Sequence, residues 1–228
     1  MRRGLDTRVS AYLQAVLNKD RGAAEQVIRE VTDATNSLAE VYAVLGAAEV
    51  EIGLLWEKGT ITVSDEHFAT AVTLGCVSMA AEKMRKFWRE PVGFSFLCAP
   101  DGEFHLVGLT MMSELLRREG WETEIHPSGP LSSTLGELAA RRRVDLFCLS
   151  ATMPTNVLRV AEVARDIRQV PAFKTAKILV GGPAFGDRKA REAFGMESEQ
   201  SALIDFFASS LPEAVAFSRS IGSRGRQA

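Results

Sequence analysis

At Glu90-Pro91-Val92-Gly93 the spacing of apolar residues changes period, and the two sides of that break cannot share one fold class. Before it, apolar residues recur every three or four positions. Leu38, Val41, Leu45, Ala48, Ile52 and Leu55 mark one stripe of a single helix. Gly59 predicts that helix's end, because glycine enters the left-handed region without steric cost. Thr62 or Ser64 predicts the start of the next, since either hydroxyl can accept from free backbone N–H groups, and Phe68, Val72, Cys76 and Met79 carry its buried face to near Trp88. Weaker patterns over 7–18 and 22–35 bring the expected helices to four, a bundle spanning 7–90.

After the break, short apolar runs at 94–98, 144–149 and 177–180 alternate with helical patterns over 104–119, 131–142 and 156–168. Further strands are expected at 122–125 and 202–206. Five strands alternating with helices predict a Rossmann-like, flavodoxin-like doubly wound parallel sheet over 92–218, followed by a flexible tail at 219–228. The fold class expected is thus a four-helix bundle joined to an α/β domain. Ligands of such sheets bind beyond the carboxyl ends of the strands, which directs attention to the loops after Cys98, Leu149 and Val180.

Charge and cysteine content narrow the partners. Twenty-seven Lys and Arg stand against 29 Asp and Glu with no long run of one sign, so binding to nucleic acid through charge alone is not expected. No apolar run approaches the roughly 20 residues that cross a bilayer, and the start carries no signal-peptide core, so a cytoplasmic protein is expected. Cys76, Cys98 and Cys148 have no zinc spacing and read as small buried hydrophobes. No acid, base or nucleophile set stands out, and an enzyme is not expected.

His105 falls in the loop after the first strand, with Asp101 and Glu103 beside it. An imidazole there can bind a metal through one nitrogen while the other donates to a carboxylate, which fixes the tautomer. The wider pattern is Glu103-x-His105-x-x-Gly108, 41 residues, Ser150-x-Thr152, 28 residues, then Gly181-Gly182. It resembles the signature of the cobalamin-binding domain of methionine synthase and methylmalonyl-CoA mutase, with Glu for the usual Asp at 103 and Thr for Leu at 152. The resemblance implies base-off, His-on binding. His105 becomes the lower ligand of cobalt, Ser150 bonds the displaced nucleotide tail, and Gly181 with Gly182 lets backbone approach it.

The bundle carries a second pattern, Trp56, nine residues, then Glu66-His67. It resembles the Trp-x9-Glu-His cap of cobalamin-dependent photoreceptors and related regulators, whose side chains lie over the upper face of the corrin. A short loop between the two helices would bring an indole, a carboxylate and an imidazole to one end of the bundle. The Glu at 103 is the variant found in those photoreceptors. Glu57 stands where the DNA-binding members have a His after the Trp, which rules out cobalt capture there. The pattern predicted over 7–90 begins close to Met1, without a winged helix-turn-helix before it.

The resemblance therefore implies a stand-alone, AerR-like light- or ligand-sensing protein. It would carry adenosylcobalamin, with hydroxo- or methylcobalamin as alternatives, and act as an antirepressor on a transcription factor or other regulatory protein; self-association is left open. The alternative is a corrinoid methyl carrier of a methyltransferase system.

Overall fold

The computed structural model describes residues 2–127, 131–186 and 203–222, and it divides into two compact units, Met1–Phe87 and Trp88–Ala228. The first holds four helices, α1 (Arg2–Leu17), α2 (Arg21–Ala34), α3 (Leu38–Glu57) and α4 (Val63–Lys83), and a single 3-10 turn at Arg85–Phe87. The stripe read from the sequence is the one that packs: Leu38, Val41, Leu45, Ala48 and Ile52 of α3 are all buried. Each of the Leu, Val and Ile side chains contributes about 1.5–3 kcal/mol by leaving water, and the Ala48 methyl less. Two buried tyrosines tie helices together. Tyr12 of α1 shares a 2.8 Å hydrogen bond with Thr73 of α4, and the Tyr42 hydroxyl donates to the Val77 carbonyl at 3.2 Å.

Gly59 does end α3, at φ +68°, with its N–H on the Trp56 carbonyl and the Thr60 N–H on that of Leu55. Of the two candidate starts for α4, Thr62 is the cap. Its side chain accepts from the Asp65 N–H while the Asp65 carboxylate accepts from the Thr62 N–H, a reciprocal pair that satisfies two otherwise orphaned donors. Lys19, in the turn between α1 and α2, adds a 2.5 Å ion pair to Asp65, whose carboxyl is held well below the usual range by the hydrogen bonds from Lys19 and Thr62. α4 stops at Lys83 rather than near Trp88. The Met84 N–H is shared among the carbonyls of Ala80, Ala81 and Glu82, a tightening that ends the α-helical ladder.

The second unit is a five-stranded, all-parallel sheet of β1 (Gly93–Cys98), β2 (Trp121–His126), β3 (Leu146–Ser150), β4 (Lys177–Gly181) and β5 (Phe206–Phe207) in the order β2-β1-β3-β4-β5. Helices α5 (Val107–Arg118), α6 (Leu131–Arg141), α7 (Val157–Gln169) and α8 (Leu211–Gly222) cover it. Phe96, Phe147, Leu149, Ile178 and Val180 form one core with Leu135, Val160, Ala164 and Ile167 of α6 and α7. Alternation sends Leu97, Leu146, Cys148 and Leu179 to the other face, where α5 packs on β1, β2 and α8. All three cysteines are buried and unpaired with one another. Among the described residues no helix is long and apolar enough to cross a membrane.

Two further expectations change at the C-terminal end of the sheet unit. β5 covers two residues instead of 202–206, because the Asp205 carboxylate takes the Ile178 N–H at 2.9 Å and strand pairing begins only at Leu179 with Phe206; residue 202 lies outside the described residues. The tail expected from 219 is helical as far as Gly222: Ser218 is fully buried, and Arg219 grips the Glu119 carboxylate at 2.6 and 2.9 Å. Residues 223–228 lie outside the described residues. His126, at the end of β2, lies 6.2 Å from the Phe96 ring with its Nε2 buried and without a hydrogen-bond partner among the described residues.

Candidate cofactor site

The order β2-β1-β3-β4-β5 reverses between β1 and β3, so the connections leaving those two strands diverge to opposite faces and open a crevice at their carboxyl ends. His105 stands in the loop beyond β1. That loop is built rather than slack. The Glu103 N–H closes a turn onto the Pro100 carbonyl at 3.0 Å with Gly102 at φ +80°, and Arg159 Nη1 donates to the Asp101 carbonyl at 2.7 Å. The helix expected from residue 104 starts only at Val107, which leaves His105 outside it.

Glu103 organises the crevice. It is 1% exposed, and its two oxygens accept from five donors. Oε1 takes His105 Nδ1 and, at 3.2 Å, the His105 N–H. Oε2 takes the Thr152 N–H at 2.9 Å, the Met153 N–H at 3.1 Å and Asn156 Nδ2 at 3.0 Å. Burial alone would push the carboxyl up, but the hydrogen bonds from His105, Asn156, Met153 and Thr152 outweigh it and hold it down at about 2. Glu103 therefore stays an anion that accepts from His105 Nδ1, which fixes the proton on that nitrogen, so the ring in its neutral form carries its lone pair on Nε2. The longer Glu side chain, in place of the Asp of the signature, closes this contact without difficulty.

A second stitch joins β3 to β4. The Ala151 N–H donates to the Gly181 carbonyl at 3.2 Å, and the Ala184 N–H donates to the Ala151 carbonyl at 3.2 Å. Gly182 has φ +105°, and a side chain there would collide with the Ala151 carbonyl oxygen. The close approach expected at Gly182 is thus made by the chain's own backbone. Ser150, half-buried, ends β3 opposite Gly181, and Thr152 lies two residues beyond. Gly108, in the first turn of α5, has no atom beyond its chain neighbours and its own helix backbone within 4 Å of where a side chain would begin, so space is open there. The seven signature residues of this unit, Glu103, His105, Gly108, Ser150, Thr152, Gly181 and Gly182, therefore fall at or beyond the carboxyl ends of β1, β3 and β4, as far as the first turn of α5, and two sets of hydrogen bonds bind the three connections together.

In the helical unit, Trp56 occupies the last turn of α3, and Glu66 and His67 the first two turns of α4, joined by the five residues Lys58 to Thr62. All three thus fall at one end of the bundle. The indole is 42% exposed, Glu66 accepts from Thr70 Oγ1 at 3.0 Å, and the exposed His67 ring is 3.6 Å from Glu66.

Two family models match the chain, each described as a B12 binding domain, one over residues 9–80 and the other over residues 97–197. The chain belongs to the cobalamin-binding family. No curated protein sequence matches it. Among solved structures it resembles the monomethylamine corrinoid protein of Methanosarcina barkeri, with a TM-score of 0.73 at 17% identity over 92% of this chain and 96% of that one. A cobalamin-binding protein from Desulfitobacterium hafniense DCB-2 (16% identity, 93% and 98% covered) and the methanol:cobalamin methyltransferase complex MtaBC from Methanosarcina barkeri (14%, 96% and 80%) each overlay with a TM-score of 0.47, no more than a general likeness.

The residues present fit a cobalamin. Among the described residues no group of three or more His, Cys, Asp or Glu is placed to hold a metal ion. His105 offers one imidazole of fixed tautomer, and space is open at Gly108. Sequence reading missed Asn156. It reads there only as a helix start, although an Asn six residues past Ser150, in a loop facing the crevice, is a polar side chain placed to reach the carboxylate.

Proposed function

We propose that this chain is a corrinoid methyl carrier, a non-enzymatic subunit that serves a methyltransferase. The observation that carries the reading is the end-to-end likeness of its two-part architecture to a monomethylamine corrinoid protein, which leaves little of either chain over. A bound corrinoid supplies a cobalt able to hold and hand over a methyl group. The chain's own part is positional. His105 would hold the group through Nε2, Glu103 fixes the orientation of the ring through Nδ1, and Asn156 with the Thr152 and Met153 amides keeps Glu103 in place and ionised. The partner on this reading is the methyltransferase that loads or unloads the methyl group, not a transcription factor.

The sensing reading keeps one observation in its favour, the Trp56-x9-Glu66-His67 pattern gathered at one end of the bundle. One experiment separates the two. The chain is loaded with adenosylcobalamin in the dark, and its molar mass is followed by light scattering before and after illumination. A carrier keeps the same mass. Light-dependent assembly or dissociation would overturn the carrier reading in favour of the sensor.

A further inference from the structure

Three large apolar side chains are exposed in the second unit among the described residues: Phe104 (76%), Met153 (36%) and Leu158 (58%). All three come from the segments that follow β1 and β3, at the crevice that holds His105. Scattered apolar residues are ordinary on a surface; confinement to one crevice is not. Phe104 lies between a fully buried Glu103 and the His105 imidazole, in a loop pinned by the Gly102 turn and by Arg159. Its exposure is therefore held by the fold and does not come from fraying.

We propose that Phe104 and Met153 form an apolar seat, one on each side of His105, against which the lower face of the corrin ring rests. The proposal builds on cobalamin binding and adds the contacts that would shield the axial bond. Glu103 places both members. One of its oxygens takes the His105 N–H, directly after Phe104, and the other takes the Met153 N–H at 3.1 Å. The same carboxylate thus sets the axial imidazole and the two apolar groups beside it. A corrin's lower face is a broad ring with a methyl- and methylene-rich rim, and covering a phenyl and a thioether with it removes apolar surface from water and keeps water from the metal-facing nitrogen. Leu158, on the first turn of α7, has no such tie to Glu103 and is left out of the seat.

The test uses the full chain and hydroxocobalamin, with affinity read by titration and lower ligation read from the absorbance spectrum. Phe104→Ala should weaken binding about 10- to 100-fold, the range expected when one large apolar contact is lost, while the His-ligated spectrum is kept. Phe104→Leu should recover most of the loss, and Met153→Ala should weaken binding by less than Phe104→Ala. Phe104 is exposed, so the thermal midpoints of the ligand-free variants should match that of the wild type. If the wild type binds His-on and Phe104→Ala binds equally well, the seat is wrong and the ligand reading stands. An equal loss in Leu158→Ala would also overturn the seat, since it would mark a generic apolar surface. A wild type that retains no hydroxocobalamin, or holds it without His ligation, would overturn the ligand reading itself and the seat with it.

Discussion

The crevice of the sheet unit and the exposed end of the helical unit are built to different tolerances. In the crevice, Glu103 is 1% exposed and saturated by five donors drawn from residues 105 to 156, so His105 is held in one tautomer before any ligand arrives. At the end of the bundle, Trp56 is 42% exposed, and His67 meets Glu66 only at 3.6 Å. A metal ligand must be preorganised within a fraction of an ångström. The side chains at the end of the bundle are held less closely than those of the crevice.

If the comparison is right, the largest effect belongs to His105→Ala, which should abolish His-ligated cobalamin binding while leaving the fold intact; an unchanged absorbance spectrum would remove the lower-ligand assignment. Next comes Glu103→Ala, which strands the Thr152 and Met153 amides and Asn156 Nδ2 in a buried place. It should cost about 3 kcal/mol or more of stability in urea unfolding, a loss that a merely peripheral carboxylate would not produce. Gly182→Ala forces a side chain onto the Ala151 carbonyl at φ +105° and should cost about 1–3 kcal/mol by the same measurement. Trp56→Ala, in the more open region, should move stability by about 1 kcal/mol or less and yet shift the spectrum of a bound cobalamin's upper ligand. A Trp56 variant that destabilises the protein as much as Glu103→Ala would erase the contrast.

The smallest effect concerns pH. Arg219 first, then Arg89, holds the Glu119 carboxyl below its usual range. Because the folded value is depressed, the carboxylate's contribution is fully present above the unfolded pKa of about 4.3 and is lost as pH falls through the folded value. Glu119→Gln should therefore flatten the fall in stability below about pH 4.5, as read from unfolding midpoints across an acid series.

How much of this was legible in the sequence differs between the two units for a physical reason. The helical unit is written in contacts three and four residues apart, and the stripe of α3, the Gly59 end and the Thr62 start all follow from them. The length of α4 does not, since its last turn is decided by carbonyls competing for the Met84 N–H. The strands were legible as short apolar runs, except β5, which the Asp205 carboxylate trims to two residues by taking the Ile178 N–H.

For the site, the spacing of Glu103, His105, Gly108, Ser150, Thr152, Gly181 and Gly182 named the ligand class through its resemblance to the cobalamin-binding signature, because residues held at successive strand ends leave a fixed spacing in one dimension. It could not show that Glu103 is the residue on which the loops after β1 and β3 converge, or that Asn156 joins them. Those relations join residues about fifty positions apart. They exist only because the sheet places β1 beside β3 and reverses direction between them, and adjacency in a parallel sheet has no local signature in the chain.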